Sequence, residues 1–115
     1  EALMLTDGVL SAEELSLENA LLIRGSGPWG QQFPEPLFVG DFYVLSQRLV
    51  GKKHIKLVLC LDFDKQEQLS AIAFNVSSDD IEEYKKEKIN IVYKLDVNFW
   101  QGRESLQLII ETLIY

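Results

Sequence analysis

Residues 89–114 read INIVYKLDVNFWQGRESLQLIIETLI, and the two halves of this stretch set the architecture. In the first half Ile89, Ile91, Tyr93, Leu95, Val97 and Phe99 share one phase. Asn90, Lys94, Asp96 and Asn98 share the other, with Val92 as the apolar exception. Period-2 alternation marks a strand with one buried face. It assigns Phe99 to the core and leaves Trp100 out of the buried phase. Gln101-Gly102 then predicts a tight reversal, because glycine takes φ > 0 without steric cost. The chain returns through Leu106, Leu108 and Ile110 against Gln107 and Glu111. The stretch is a long β-hairpin with one wet face, and Trp100 and Arg103 stand at its tip.

Upstream, residues 42–50 and 54–63 predict two strands separated by Gly51 and the lysines Lys52 and Lys53. In the second of these, Ile55, Leu57, Leu59, Leu61 and Phe63 fall in one phase. Residues 64–67 make a polar turn, and 68–76 a third strand in which Ala71 and Ala73 permit close packing. The segment 77–88, SSDDIEEYKKEK, is the one helix of this half. Ser77 can cap it, acids lie early and Lys85, Lys86 and Lys88 late, so the charges complement the helix dipole at both ends. That dipole role accounts for Asp79, Asp80, Glu82 and Glu83 better than a metal cluster does. Ile81 and Tyr84 give the helix a narrow docking stripe. The chain from residue 37 is therefore mainly β, ordered strand, strand, strand, helix, strand, strand. This is the order of the five-stranded OB-fold, a partly open Greek-key barrel. Other small barrels and sandwiches share it.

Residues 1–10 read as a short strand-like piece closed by an Asp7-Gly8 turn. Ser11 and Glu14 have capping-box spacing, and Ser16 is a second candidate cap. A helix over 17–24 would align Leu17, Ala20, Leu21 and Arg24, with Leu22 and Ile23 widening its apolar surface. Residues 25–36, GSGPWGQQFPEP, hold all three prolines of the chain and three glycines. Here we place a boundary: a tail of a preceding unit over 1–25, a connector over 26–36 and the β domain over 37–115. The connector is expected to be pinned rather than loose, with Trp29 and Phe33 finding places to bury their rings.

The chain has 115 residues, 47% of them apolar and 25% charged, which suits one globular domain and argues against disorder. Its apolar runs are too short to span a bilayer, and no secretory signal is evident. The first residue is Glu1, which points to a fragment of something longer. The single cysteine, Cys60, cannot form an internal disulfide, so a reducing, cytoplasmic compartment is expected. Cys60 itself lies among apolar residues as an inert thiol.

A net charge of −7 runs against nucleic-acid binding, which needs lysine and arginine. The distribution changes the argument. Residues 1–36 carry a net of −5 and residues 37–115 only −2, and the window 42–61 contains Arg48, Lys52, Lys53 and Lys56 with no acid. Local potential governs recognition. In an OB-fold, oligonucleotides cross the face of strands two and three beneath the loops joining strands 1–2 and 4–5. Here the first loop is basic, and the second pairs Trp100 with Arg103. Rings that stack bases beside cations that meet phosphates suit a single strand. Lys52 and Lys53 also read as solvated turn residues, and Trp100 as a ring that packs on a neighbouring domain or as a plain surface aromatic. His54, the one histidine, has no metal-spaced partners, and no nucleophile motif, phosphate loop or HExxH is present. No catalytic residue and no metal ligand is assigned to this chain.

Three stretches give a family resemblance: GPWGQQFPEPLF at 27–38, LSAIAF at 69–74 and YKLDVNFWQGRESLQLII at 93–110. Together they resemble the connector and OB domain of the RecJ exonucleases, of the DHH phosphoesterase superfamily. LTDGVLSAEELSLENA at 5–20 is similar to the end of the preceding DHHA1 domain in that family. The resemblance implies a single-strand-specific 5′→3′ DNA exonuclease of recombination and repair that uses Mg²⁺ or Mn²⁺. The catalytic motifs of that family lie upstream of this stretch and are not in it. It implies DNA contact by Arg48, Lys52, Lys53, Lys56 and Arg103, with Trp100 as a stacking platform. Implied partners are single-stranded DNA, the upstream catalytic domains and a single-strand-binding protein, with no membrane. The family tends to place bases on both sides of the loop glycine, whereas Gln101 precedes Gly102 here.

Overall fold

In the computed structural model, which describes residues 7–30, 33–62 and 67–115, the alternating stretch forms a strand and its hairpin partner. The elements run α1 (Leu17–Gly25), β1 (Phe38–Val50), β2 (His54–Cys60), β3 (Leu69–Ala73), α2 (Ser78–Glu83), β4 (Lys88–Trp100) and β5 (Arg103–Ile114). The five strands close into a barrel in the order β1-β2-β3-β5-β4, with β3 and β5 parallel and every other pair antiparallel. This is the OB arrangement, closed rather than partly open.

The phases read from sequence fill the barrel. Ile55, Leu57 and Leu59 of β2, Ala71 and Ala73 of β3, Ile91, Leu95 and Val97 of β4, and Leu108 and Ile110 of β5 are buried. Burying a Leu, Ile or Val side chain contributes about 1.5–3 kcal/mol, so this set dominates the stability. Phe42 packs edge-on against the buried Tyr93 ring, with centroids 5.4 Å apart and planes at 80°. A Cβ on Gly40 would come within 3.2 Å of that Phe42 ring, so glycine leaves the ring its place. Cys60 is fully buried.

β1 serves two neighbours. Phe38–Tyr43 pairs with β4, and Tyr43–Val50 pairs with β2. Between them the register slips: Val44 faces Leu59 and Ser46 faces Val58, leaving Leu45 as an extra residue. Such a bulge bends a strand and shifts its side-chain phase. Even-numbered Phe38, Phe42 and Val44 belong to the core side before it. After it Gln47 and Leu49 pair with the inward Leu57 and Ile55, and Arg48 pairs with Lys56 on the outside.

The N-terminal caps are as the spacing predicts. Ser11 N–H donates to Glu14 Oε1 at 2.9 Å and Glu14 N–H to Ser11 Oγ at 3.3 Å, a reciprocal capping box that holds the Glu14 carboxyl below the ordinary carboxylate range. Ser16 Oγ accepts from Asn19 N–H at 3.1 Å at the start of α1. Leu15 and Ala20 join the barrel's own core cluster. Asp7 N–H donates to Leu37 O at 2.6 Å and Val39 N–H to Gly8 O at 3.0 Å, tying the segment before α1 to the start of β1. Residues 1–6, 31–32 and 63–66 lie outside the described residues. So do most of the predicted 1–10 piece, most of the 64–67 turn and Phe63.

Several expectations need correction. Phe99 is 56% exposed rather than core, because the end of β4 runs past the barrel and has no interior to enter. The predicted 77–88 helix is only Ser78–Glu83, capped by Ser77, because Lys88 already pairs with Tyr43 in the β1–β4 ladder. Tyr84 is buried as its docking residue. On α1, Leu21 and Leu22 point outward, so the apolar surface that docks is narrower than the composition suggests. Phe33 is 69% exposed, whereas Trp29 is half-buried and donates from Nε1 to Ile23 O at 3.2 Å. β1 begins at Phe38, four residues earlier than expected, β2 ends at Cys60, and β3 is trimmed to Leu69–Ala73.

Candidate nucleic-acid interface

The tip of the β4–β5 hairpin turns on two residues in the left-handed region, Gln101 at φ 49° and Gly102 at φ 77°. Consecutive positive φ values give a turn whose twist matches its strands, so the hairpin stays regular to its end. Trp100 and Arg103 are the last cross-strand pair, with Asn98 facing Ser105 one step below on the same side. Across from them lie Arg48 and Lys56, which the β1 bulge has placed together on the outer face. Between the two pairs is an open cleft of about 640 Å³. It continues into a trough of about 250 Å³ along β1, β2 and β3, with Arg48 and Lys56 lining both.

Four of the six predicted contact residues thus meet in one place: Arg48, Lys56, Trp100 and Arg103. Lys52 and Lys53 do not line the cleft and occupy the exposed β1–β2 turn at one side. Sequence reasoning left out Asn98, Glu104 and Ser105, which complete the wall. Asn98 and Ser105 were findable, since both fall in the wet phase next to the tip. Glu104 is the one carboxylate in the lining, against three cations.

The cations divide by role. Arg24, Lys85, Lys86 and Lys94 each stand within 4.0 Å of a carboxylate, at 3.7, 2.9, 2.8 and 3.7 Å. Among the described residues Arg48, Lys52, Lys53, Lys56, Lys88 and Arg103 have no such partner, and Lys88 instead lies 5.3 Å from the Tyr43 ring centroid, away from the cleft. A cleft lined by unneutralised cations beside a ring that is 69% exposed offers phosphates their counter-charge and bases a π face. The Arg24 guanidinium of α1 sits 5.0 Å from the Phe99 ring centroid and 3.7 Å from the Asp96 carboxylate, so it reaches one residue in each phase of β4. The helix therefore braces the β4 side of the hairpin.

The family model for the RecJ OB domain matches residues 6–112. The chain belongs to the RecJ OB domain family. It is 44% identical over 110 residues to the single-stranded-DNA-specific exonucleases RecJ of Salmonella typhimurium and Escherichia coli. A third RecJ, from Dickeya dadantii, is 43% identical over 113 residues. The match covers 96% of this chain but only 19% of the Salmonella and Escherichia proteins, so it spans one part of much longer relatives. Two crystal structures of RecJ from Thermus thermophilus, in complex with Mn²⁺ and with Mg²⁺, superpose with TM-scores of 0.71 and 0.66 at 18% and 19% identity. They cover 97% and 92% of this chain and 16% of each of those chains. At these identities the likeness speaks for the fold alone. Among the described residues no three His, Cys, Asp or Glu side chains gather to hold a metal ion. No described helix is long and apolar enough to cross a membrane.

Proposed function

We infer that this barrel grips single-stranded DNA for a RecJ-type 5′→3′ exonuclease of recombination and repair. The hydrolysis itself, with its Mg²⁺ or Mn²⁺, belongs to upstream domains of a longer chain. The observation that carries the reading is the cleft in which Trp100 and Arg103 face Arg48 and Lys56. Stacking on Trp100 contributes about 1–3 kcal/mol per base and does not depend on sequence, which suits an enzyme that must process any strand. Residues 1–25 are the end of a preceding DHHA1-like domain, seated on the barrel through Leu15 and Ala20, and 26–36 connect it to the OB domain.

The test is tryptophan fluorescence during titration with oligo-dT at low and moderate salt. A Trp29→Phe variant leaves Trp100 as the only reporter. Salt-sensitive quenching is the expected result, and a flat signal at low salt overturns the reading.

A protein-docking reading is favoured by one observation, the excess of cations over carboxylates in the cleft of a chain whose net charge is −7. An acidic peptide, such as the tail of a single-strand-binding protein, would meet the same Arg48 and Lys56. Titrating DNA and such a peptide against a Lys56→Glu variant separates the two, since loss of the peptide alone would favour docking.

A further inference from the structure

The outer face continues beyond the cleft. On β2, His54 stands two residues before Lys56, and Phe74 follows the end of β3. The register pairs Ile55 with Ala73 and Lys56 with Ile72, which sets His54 and Phe74 side by side on the Lys56 face. Their rings meet edge-to-face, with centroids 5.4 Å apart and planes at 72°. Asn75 N–H donates to His54 Nδ1 at 3.1 Å, and Val76 N–H donates to Lys53 O at 2.6 Å. The segment after β3 is therefore strapped to the β1–β2 turn, and Phe74 is held by it. Yet Phe74 remains 52% exposed. A ring fixed in place with half its surface in water gains little from burial and keeps a π face available.

We propose that Phe74, braced by His54, is a second base-stacking platform. A single DNA strand would then run from Trp100 across Arg48 and Lys56 to Phe74. The inference rests on the single-strand-binding reading above and adds where the strand goes. Two residues of β-strand, roughly 7 Å, separate His54 from Lys56 along β2. The cations thus lie between two rings, with Lys52 and Lys53 beyond the second. Rings that stack bases around cations that hold the backbone form the pattern of a sequence-tolerant single-strand site. An apolar peptide would want a continuous apolar patch. Phe74 has His54 beside it, Ile72 two residues back on the same face of β3, and Lys56 opposite Ile72 on β2, so a cation lies within the patch.

The test titrates the chain with oligo-dT of about four and about twelve nucleotides, bracketing the site sizes of one OB-fold. Phe74→Leu keeps apolar volume against His54 but removes the π face. It is expected to weaken the longer strand roughly 5- to 150-fold, the effect of one stacked base. The shorter strand, held at Trp100, should lose much less. Phe74→Trp should restore binding, and in a Trp29→Phe, Trp100→Phe background its fluorescence should be quenched by the longer strand. Equal losses on both lengths, or none on either, overturn the second platform. Loss on Trp100→Ala with full binding by Phe74→Leu overturns it while leaving the first reading intact. A chain that binds neither length before any substitution overturns both.

Discussion

Arg48 and Lys56 are direct cross-strand partners, two cations side by side on the outer face of β1 and β2. Like charges placed opposite each other weaken a sheet, and no described carboxylate neutralises this pair. A local cost at a cleft wall is the expected signature of a surface shaped for an anionic ligand rather than for stability.

That cost gives a direct expectation. Lys56→Glu would turn a repulsive pair into an opposite-charge pair with Arg48, raising stability by about 0.2–1 kcal/mol. The same change should weaken oligo-dT binding. Denaturant melts and a binding titration on one preparation check both signs.

Salt dependence should report the cations that touch phosphate. Three cleft cations would give a slope of log affinity against log salt of roughly −2, at about −0.7 per phosphate neutralised on a single strand. Arg48→Ala should make the slope shallower by about 0.7. Lys52→Ala with Lys53→Ala should change it less, since neither lines the cleft. Titrations over a range of salt for the three proteins decide this.

Arg24 links the helix to the hairpin through Phe99 and Asp96. An exposed cation–π contact contributes about 0.5–1 kcal/mol, so Arg24→Ala should leave the barrel folded and loosen its tip. Faster amide exchange around 98–104, with unchanged exchange in β2, is the expected pattern. Uniform exchange rates would show that the helix does not brace the tip.

Burial pushes the Tyr84 and Tyr93 phenols up, Tyr84 with help from Asp80 and Tyr93 from Glu14. A hydrogen bond to Asp80 pushes Tyr115 up to about 12. A raised phenol favours the fold while neutral. Its contribution is fully present below the ordinary phenol value of about 10 and is lost as pH climbs through the folded value. Stability should therefore show no tyrosine-linked loss up to about pH 10 and fall above it. Tyr84→Phe should flatten the alkaline fall, as read by denaturant melts across pH.

Much of the fold was legible from local chemistry. Alternation named most of the buried residues of β2, β4 and β5, although Gln107, placed in the wet phase of β5, is buried and Leu106 is only half-buried. Gln101-Gly102 named the turn, and Ser11, Ser16 and Ser77 named the caps. These are properties of a few neighbouring residues, so they need no knowledge of what packs where. The candidate site was legible only in part. Trp100 and Arg103 could be paired from the hairpin alone, but their meeting with Arg48 and Lys56 depends on barrel closure.

The errors share that cause. Phe99 follows the core phase perfectly, yet no barrel remains around it at the end of β4. His54 and Phe74, about twenty residues apart, become neighbours only through the β2–β3 register. The extra residue at Leu45 is the clearest case. By simple alternation from Phe42 and Val44, Arg48 would have pointed into the core. The bulge reverses its phase and puts it beside Lys56. Alternation and turn residues were enough to specify a five-stranded β unit with a basic loop and an aromatic tip, and its closure into a barrel came from the strand pairing. Which cations reach the cleft was settled by strand register, because a one-residue slip exchanges the two faces of a strand.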